Sequence, residues 1–266
     1  MEFQGDNPLS ESERADVATE IQQNTLYLGS GQKEDDWVGV PTEVVVRGAL
    51  QKKGYFRALI EATPYLIRAD GQDLHYALRI RVESGPQYRL GEVHFKSEQD
   101  TPLAVSEAIL RQQLDLQKGE LFDVSKVRRA MDDITKLYAS RGNIDEVTEP
   151  QIQINDQDPR IDLTFRIDEG KAYHISGIDL VGADTEASRQ LRLPQTPGNL
   201  IDMNLWRKFF EDNASDFPDG ATPEWSLRMS RDTRESAVRI TVDFHACPES
   251  PPAHVPKPVL QTKMGP

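Results

Sequence analysis

Apolar and polar residues alternate strictly in three separate stretches of this chain. Leu74, Tyr76, Leu78, Ile80 and Val82 mark the first, Ile161, Leu163, Phe165 and Ile167 the second, and Val238, Ile240, Val242 and Phe244 the third. A period of two places every such set on one face of an extended strand. Each stretch therefore predicts a strand buried on one side and wet on the other, within a sheet that a layer of helices covers on a single face.

The helices have their own period. Val124, Val127, Met131, Ile134 and Tyr138 recur at three- and four-residue spacing, with Asp123 placed as an N-cap and Gly142 just past the end. That predicts an amphipathic helix of about four turns. A matching stripe runs through Met203, Trp206, Phe210 and Phe217, but Asn213 stands where Ile134 would be and Pro218 follows, so this helix should end early. Earlier helices are signalled by the capping-box spacing of Ser10 and Glu13 before Ala15, Val17, Ala18 and Ile21, and by Thr101-Pro102 as N-cap and first helical residue. The counterpart at residues 185–193 should be short, and residues 29–40, with Asp35, Asp36 and Trp37, read as a long acidic connection. A further strand is expected at residues 57–67, 145–154 and 224–229. Each contains or adjoins a proline (Pro64, Pro150, Pro223), which places it at a sheet edge because proline cannot donate to a ladder.

These elements repeat. Residues 76–85 (YALRIRVESG) match residues 161–170 (IDLTFRIDEG), and at the same offset Tyr88, Leu90, Val93 and Phe95 match Tyr173, Ile175, Ile178 and Leu180. Gly91 and Gly177 fall where the alternation breaks, which predicts a bulge. Residues 118–133 and 197–212 share Gly119/Gly198, Leu121/Leu200, Asp123/Asp202, Arg128/Arg207 and Asp133/Asp212. A repeat found this way sets the architecture. The expectation is an α+β chain of three tandem β-α-α-β-β modules, each a helix pair over a three-stranded mixed sheet. Their bounds fall at residues 1–85, 86–170 and 171–247, followed by a proline-rich, disordered tail at 248–266.

Composition narrows the function. Across 266 residues, 37% are hydrophobic and 28% charged, and no run approaches the ~18 to 20 apolar residues of a membrane helix. The net charge of −13, without a basic stripe, argues against nucleic acid. A single cysteine, Cys247, rules out an internal disulfide and reads as a small apolar residue near a strand end. The first residues lack the apolar core of an export signal. Phe3 aligns by character with Phe95, so residues 1–5 read as the end of a first strand. The expectation is a gene product that starts upstream, with the rest of that strand and an export signal.

Catalytic chemistry is not signalled: nucleophile-elbow, zincin, P-loop and dinucleotide motifs are all missing, so no enzyme, cofactor, metal or small-molecule substrate is expected. His75, His174 and His245 lie on or beside strands at positions that other units fill with Asp, Arg or Thr, as solvated-face residues do. Residues 155–159 (NDQDP) have the flavour of a calcium loop but lack its later ligands and read as a hairpin turn. Trp206 sits on an apolar helix stripe and should be core, whereas Trp37 should be exposed.

The GELFDV start of the second helix (residues 119–124, with Val127 beyond), its exit at YASRG (138–142) and the strand end FRIDEG (165–170) together resemble POTRA domains. These are the polypeptide-transport-associated modules of the BamA and TamA families of outer-membrane assembly proteins. The likeness spans about residues 1–247. It implies a non-enzymatic scaffold or chaperone in the periplasm at the outer membrane, associated with the membrane only indirectly. Its partners would be extended client polypeptides or other envelope assembly proteins, the clients bound by strand addition. The expected client surface is the proline-bearing edge with the groove beside it: Val147, Gln151, Ile152, Gln153 and Ile154 in the second unit, Trp225, Leu227 and Met229 in the third. The alternative is a docking module for folded partners of an envelope complex.

Overall fold

Each of the three alternating stretches is the central strand of its own sheet. A computed structural model describes residues 1–25, 36–70, 73–182, 191–217 and 226–245. The first unit holds β1 (Glu2–Gly5), α1 (Glu11–Thr25), α2 (Asp36–Gln51), β2 (Leu59–Asp70) and β3 (Asp73–Glu83). The second holds β4 (Arg89–Ser97), α3 (Glu107–Gln113), α4 (Val124–Ala139), β5 (Val147–Asn155) and β6 (Arg160–Asp168). The third holds β7 (His174–Val181), α5 (Met203–Asp212), β8 (Leu227–Asp232) and β9 (Ala237–Asp243).

Strand order is β1-β3-β2, β4-β6-β5 and β7-β9-β8. The first strand of each sheet runs parallel to the centre and the second antiparallel, so the sheets are mixed. Register slips between Leu90 and Val93 and between Ile175 and Gly177, at the glycines where the alternation breaks. The inward sets form three separate cores. Ile80 and Val82 pack with Val46 and Leu50 in the first; Ile161, Leu163, Phe165 and Ile167 with Ile134 and Tyr138 in the second; Val238, Ile240 and Val242 with Trp206 in the third.

Caps explain where most helices start. The Ser10 N–H donates to Glu13 Oε2 (2.7 Å) and the Glu13 N–H to Ser10 Oγ (3.3 Å), a reciprocal capping box. Asp123 and Asp202 cap α4 and α5 by accepting from Ser125 N and Asn204 N. The short α5 ends at Asp212, and Asn213 donates its side-chain amide back to Phe209 O (2.7 Å).

Two expectations are corrected. The helix assigned to Thr101-Pro102 begins at Glu107, with Ser106 as the N-cap residue. The Ala104 N–H is claimed by the Glu169 carboxylate (2.9 Å), and Thr101 Oγ1 lies against Ser97 Oγ (3.3 Å), so this stretch is held in irregular form. Glu169 also accepts from the buried Tyr138 hydroxyl (2.7 Å), which ties the FRIDEG strand end to the exit of α4. Burial first, and this carboxylate second, push the Tyr138 phenol well above its usual range. The second correction is the acidic connection, which is shorter than expected: residues 36–40 already belong to α2. An aspartate in a first turn complements the helix dipole. Cys247, Trp225, Pro223, residues 185–190 and the tail lie outside the described residues, as do the side chains of Trp37 and His75.

Candidate functional site

Every three-stranded sheet has two outer strands, and here they are treated differently. In the second unit the first strand, β4, is sealed near its start by the glycine turn that precedes the second helix. Gly119 N–H donates to Leu90 O (2.7 Å), Leu90 N–H to Glu120 O (2.8 Å) and Phe122 N–H to Tyr88 O (3.0 Å). The third unit repeats this, with Gly198 N to Ile175 O (2.8 Å), Ile175 N to Asn199 O (2.8 Å) and Ile201 N to Tyr173 O (3.0 Å). This is what the GELFDV segment does: its glycine has φ +86, a conformation that side chains disfavour, and the turn lays Leu121 beside Arg89 in an isolated antiparallel bridge. At the β4 bulge the Glu92 N–H finds Asp162 Oδ1 (2.7 Å) and the Val93 carbonyl accepts from Arg111 Nη2. Spare main-chain bonding is thus used up on the first half of β4, from Arg89 to Val93.

β5 is the opposite case. It pairs only with β6, over nine register positions from Val147↔Asp168 to Asn155↔Arg160, and among the described residues no main-chain bond reaches its outer side. Register divides its side chains between two faces. Thr148, Pro150, Ile152 and Ile154 lie opposite the buried Ile167, Phe165, Leu163 and Ile161 and share the helix side. Val147, Gln151 and Gln153 share the other face with Asp168, Thr164 and Asp162. Although it is on the helix side, Ile152 is 41% exposed, and Val147 is 55% exposed on the far side. An apolar side chain is thus offered on each face of an edge whose outer main chain is free. Ile154 differs, being half-buried against the second core.

In β8 the placement departs from expectation. Leu227 is buried in the third core, opposite Val242, so its side chain belongs to the fold and is not offered to a client. Met229 is half-buried against the same core, opposite Ile240. Strict alternation contained this warning, since Leu227 and Met229 keep the inward phase of a half-buried strand. Among the exposed apolar residues that sequence reasoning missed, three lie on β2: Leu59, Leu66 and Ile67, the last at 64%. Tyr65-Leu66-Ile67 breaks the alternation, and a register shift between Leu66 and Arg68 marks the place.

Other candidates resolve as structure. Residues 155–158 form an Asx turn, Asn155 Oδ1 accepting from Gln157 N (3.0 Å) and Asp158 N (3.2 Å). His174 is exposed, and His245 lies on Asp243 (2.8 Å), whose carboxyl is lowered first by the His245 N–H. Trp206 is fully buried. No group of side chains among the described residues is placed to hold a metal.

A mixed three-stranded sheet with its helices on one face, repeated and joined at glycine turns, defines a class of small α+β repeat modules. Residues 88–170 match the POTRA family, described as surface antigen variable number repeat. The BamA POTRA3-5 segment of Haemophilus influenzae superposes with a TM-score of 0.63 at 17% identity, covering 91% of this chain and 93% of that one. BamA of Haemophilus ducreyi lacking POTRA domains 1-3 matches 65% of this chain and 29% of its own (15% identity, TM-score 0.41). POTRA1-3 of Omp85 from Anabaena matches 91% of each chain (13%, 0.37). By sequence the second unit matches this family, and the fold of the three units is like that of the H. influenzae segment.

Proposed function

We propose that this chain is a non-enzymatic scaffold of the periplasm, at the outer membrane, which receives extended outer-membrane or secreted polypeptides during assembly or transport. Its modules would occupy residues 1–85, 86–170 and 171–247. The observation that carries the reading is the asymmetry of the second sheet, where the first half of β4 is sealed and β5 is free along its outer main chain, with Val147 and Ile152 exposed. An incoming strand gains main-chain hydrogen bonds along β5 and places alternate side chains on its two faces. Main-chain contact discriminates little between sequences, which suits many clients. Pro150 shortens the row of donors and limits pairing between copies of the chain.

Titration of the isotope-labelled protein with several unrelated, unstructured peptides of barrel-strand type should shift amide resonances along β5. Ile152→Asp should weaken every one of these interactions. Binding to a single sequence, or shifts that avoid β5, would reject the reading. The second reading, a docking surface for a folded partner, is favoured by the exposed Leu59, Leu66 and Ile67 of β2, and shifts confined to that strand would support it.

A further inference from the structure

The two junctions between units share one construction. Three residues on from Gly54 is Arg57, and three on from Gly142 is Asp145. Both glycines have positive φ (+83 and +88), and each carbonyl accepts from the N–H of the tyrosine opening the next unit, Tyr88 (2.8 Å) or Tyr173 (3.0 Å). Both tyrosine side chains are buried. Two residues after each glycine an apolar side chain crosses the junction. Phe56 packs on the second core, edge-on to Phe122 at 5.5 Å, and Ile144 packs on the third.

The charges that close the junctions are exchanged. At the first, Asp156 in the β5-β6 turn accepts from the Tyr88 hydroxyl on Oδ1 (2.5 Å) and pairs with Arg57 Nη1 through Oδ2 (2.9 Å). At the second, Asp145 accepts from the Tyr173 hydroxyl on Oδ2 (2.7 Å) and pairs with Arg231 Nε of β8 through Oδ1 (3.1 Å). One carboxylate thus bridges a tyrosine and an arginine in both. The preceding unit supplies the cation at the first junction and the anion at the second.

From this reversal we infer that Arg57, Asp156, Asp145 and Arg231 are specificity-determining residues for module order, each junction accepting its own neighbour and repelling the other modules of the chain. Unit one set directly on unit three would bring Arg57 to Arg231 and leave the Tyr173 hydroxyl without a carboxylate. Unit two set on a second copy of itself would bring Asp145 to Asp156. An exposed ion pair alone contributes little, but a mismatched charge beside a buried phenol costs both the pair and the hydroxyl's acceptor.

The test uses the full chain. Residual dipolar couplings should give units one and two a common alignment tensor in the wild type. Arg57→Asp and Asp156→Arg, each alone, should make the tensors diverge. The pair R57D/D156R should bring them back together, because it rebuilds the first junction in the polarity of the second. Asp145→Arg and Arg231→Asp, singly and together, repeat the test between units two and three. Arg57 and Asp156 are 53% and 52% exposed, so amide shifts away from the junction should report each unit still folded. Single variants that keep the common tensor, or double variants as loose as the singles, would overturn the assignment.

Discussion

Gly54 and Gly142 show how much one residue can decide. A Cβ on Gly54 would stand 2.8 Å from Tyr88 O, and one on Gly142 would stand 3.1 Å from Tyr173 O, both at positive φ. Gly142→Ala should therefore destabilise the protein by about 1 to 2 kcal/mol and Gly54→Ala by more, as measured by urea titration. Among the described residues, Glu13 is a carboxylate held far below its ordinary value. Hydrogen bonds from Lys53 first, then from the Ser10 N–H, lower its carboxyl from 4.5 to about 2. A depressed folded-state pKa contributes stability above 4.5 that is lost as pH falls toward about 2. Amide exchange at the start of α1, corrected for its intrinsic pH dependence, should lose protection across that window, and Glu13→Gln should abolish the pH dependence. Because Glu13 is more than a third exposed, the effect should be local and weakened by salt.

At the scale of elements, caps and sealed edges explain the repeated motifs. Asp123→Ala and Asp202→Ala should each cost about 1 kcal/mol in denaturant melts, because each removes an acceptor from a helix start. The GELFDV and FRIDEG signatures were legible as repeats, yet their roles were not. One turns back to close β4, and the other carries Glu169 to Tyr138 and Ala104. Both roles join residues far apart in sequence, beyond the reach of periodicity. The start of α3 was misplaced for the same reason: Thr101-Pro102 has good local capping chemistry, but Glu169 captures the Ala104 N–H.

For the whole molecule, three cores joined by narrow junctions predict limited sharing of stability. Phe165→Ala empties part of the second core and should cost about 3 to 5 kcal/mol there. Hydrogen exchange should record the loss along β6 and β5 while β3 retains its protection. Loss of protection spread evenly over all three sheets would instead mean one cooperative unit. The open β5 edge belongs to this scale too, since it is available only because no neighbouring unit covers it among the described residues.

Local order set most of what the chain could show by itself. Period two marked the central strands, period 3.6 marked α4 and α5, prolines marked β2 and β5 as edges, and self-similarity gave three units, because each signal is carried by residues close in sequence. Tertiary structure decided which edge is sealed, that Leu227 is core while Ile152 is exposed, and which unit lends the carboxylate at each junction. Those outcomes depend on how far a helix reaches across a sheet and on which charges meet between units, and both are distances in space that no spacing along the chain encodes.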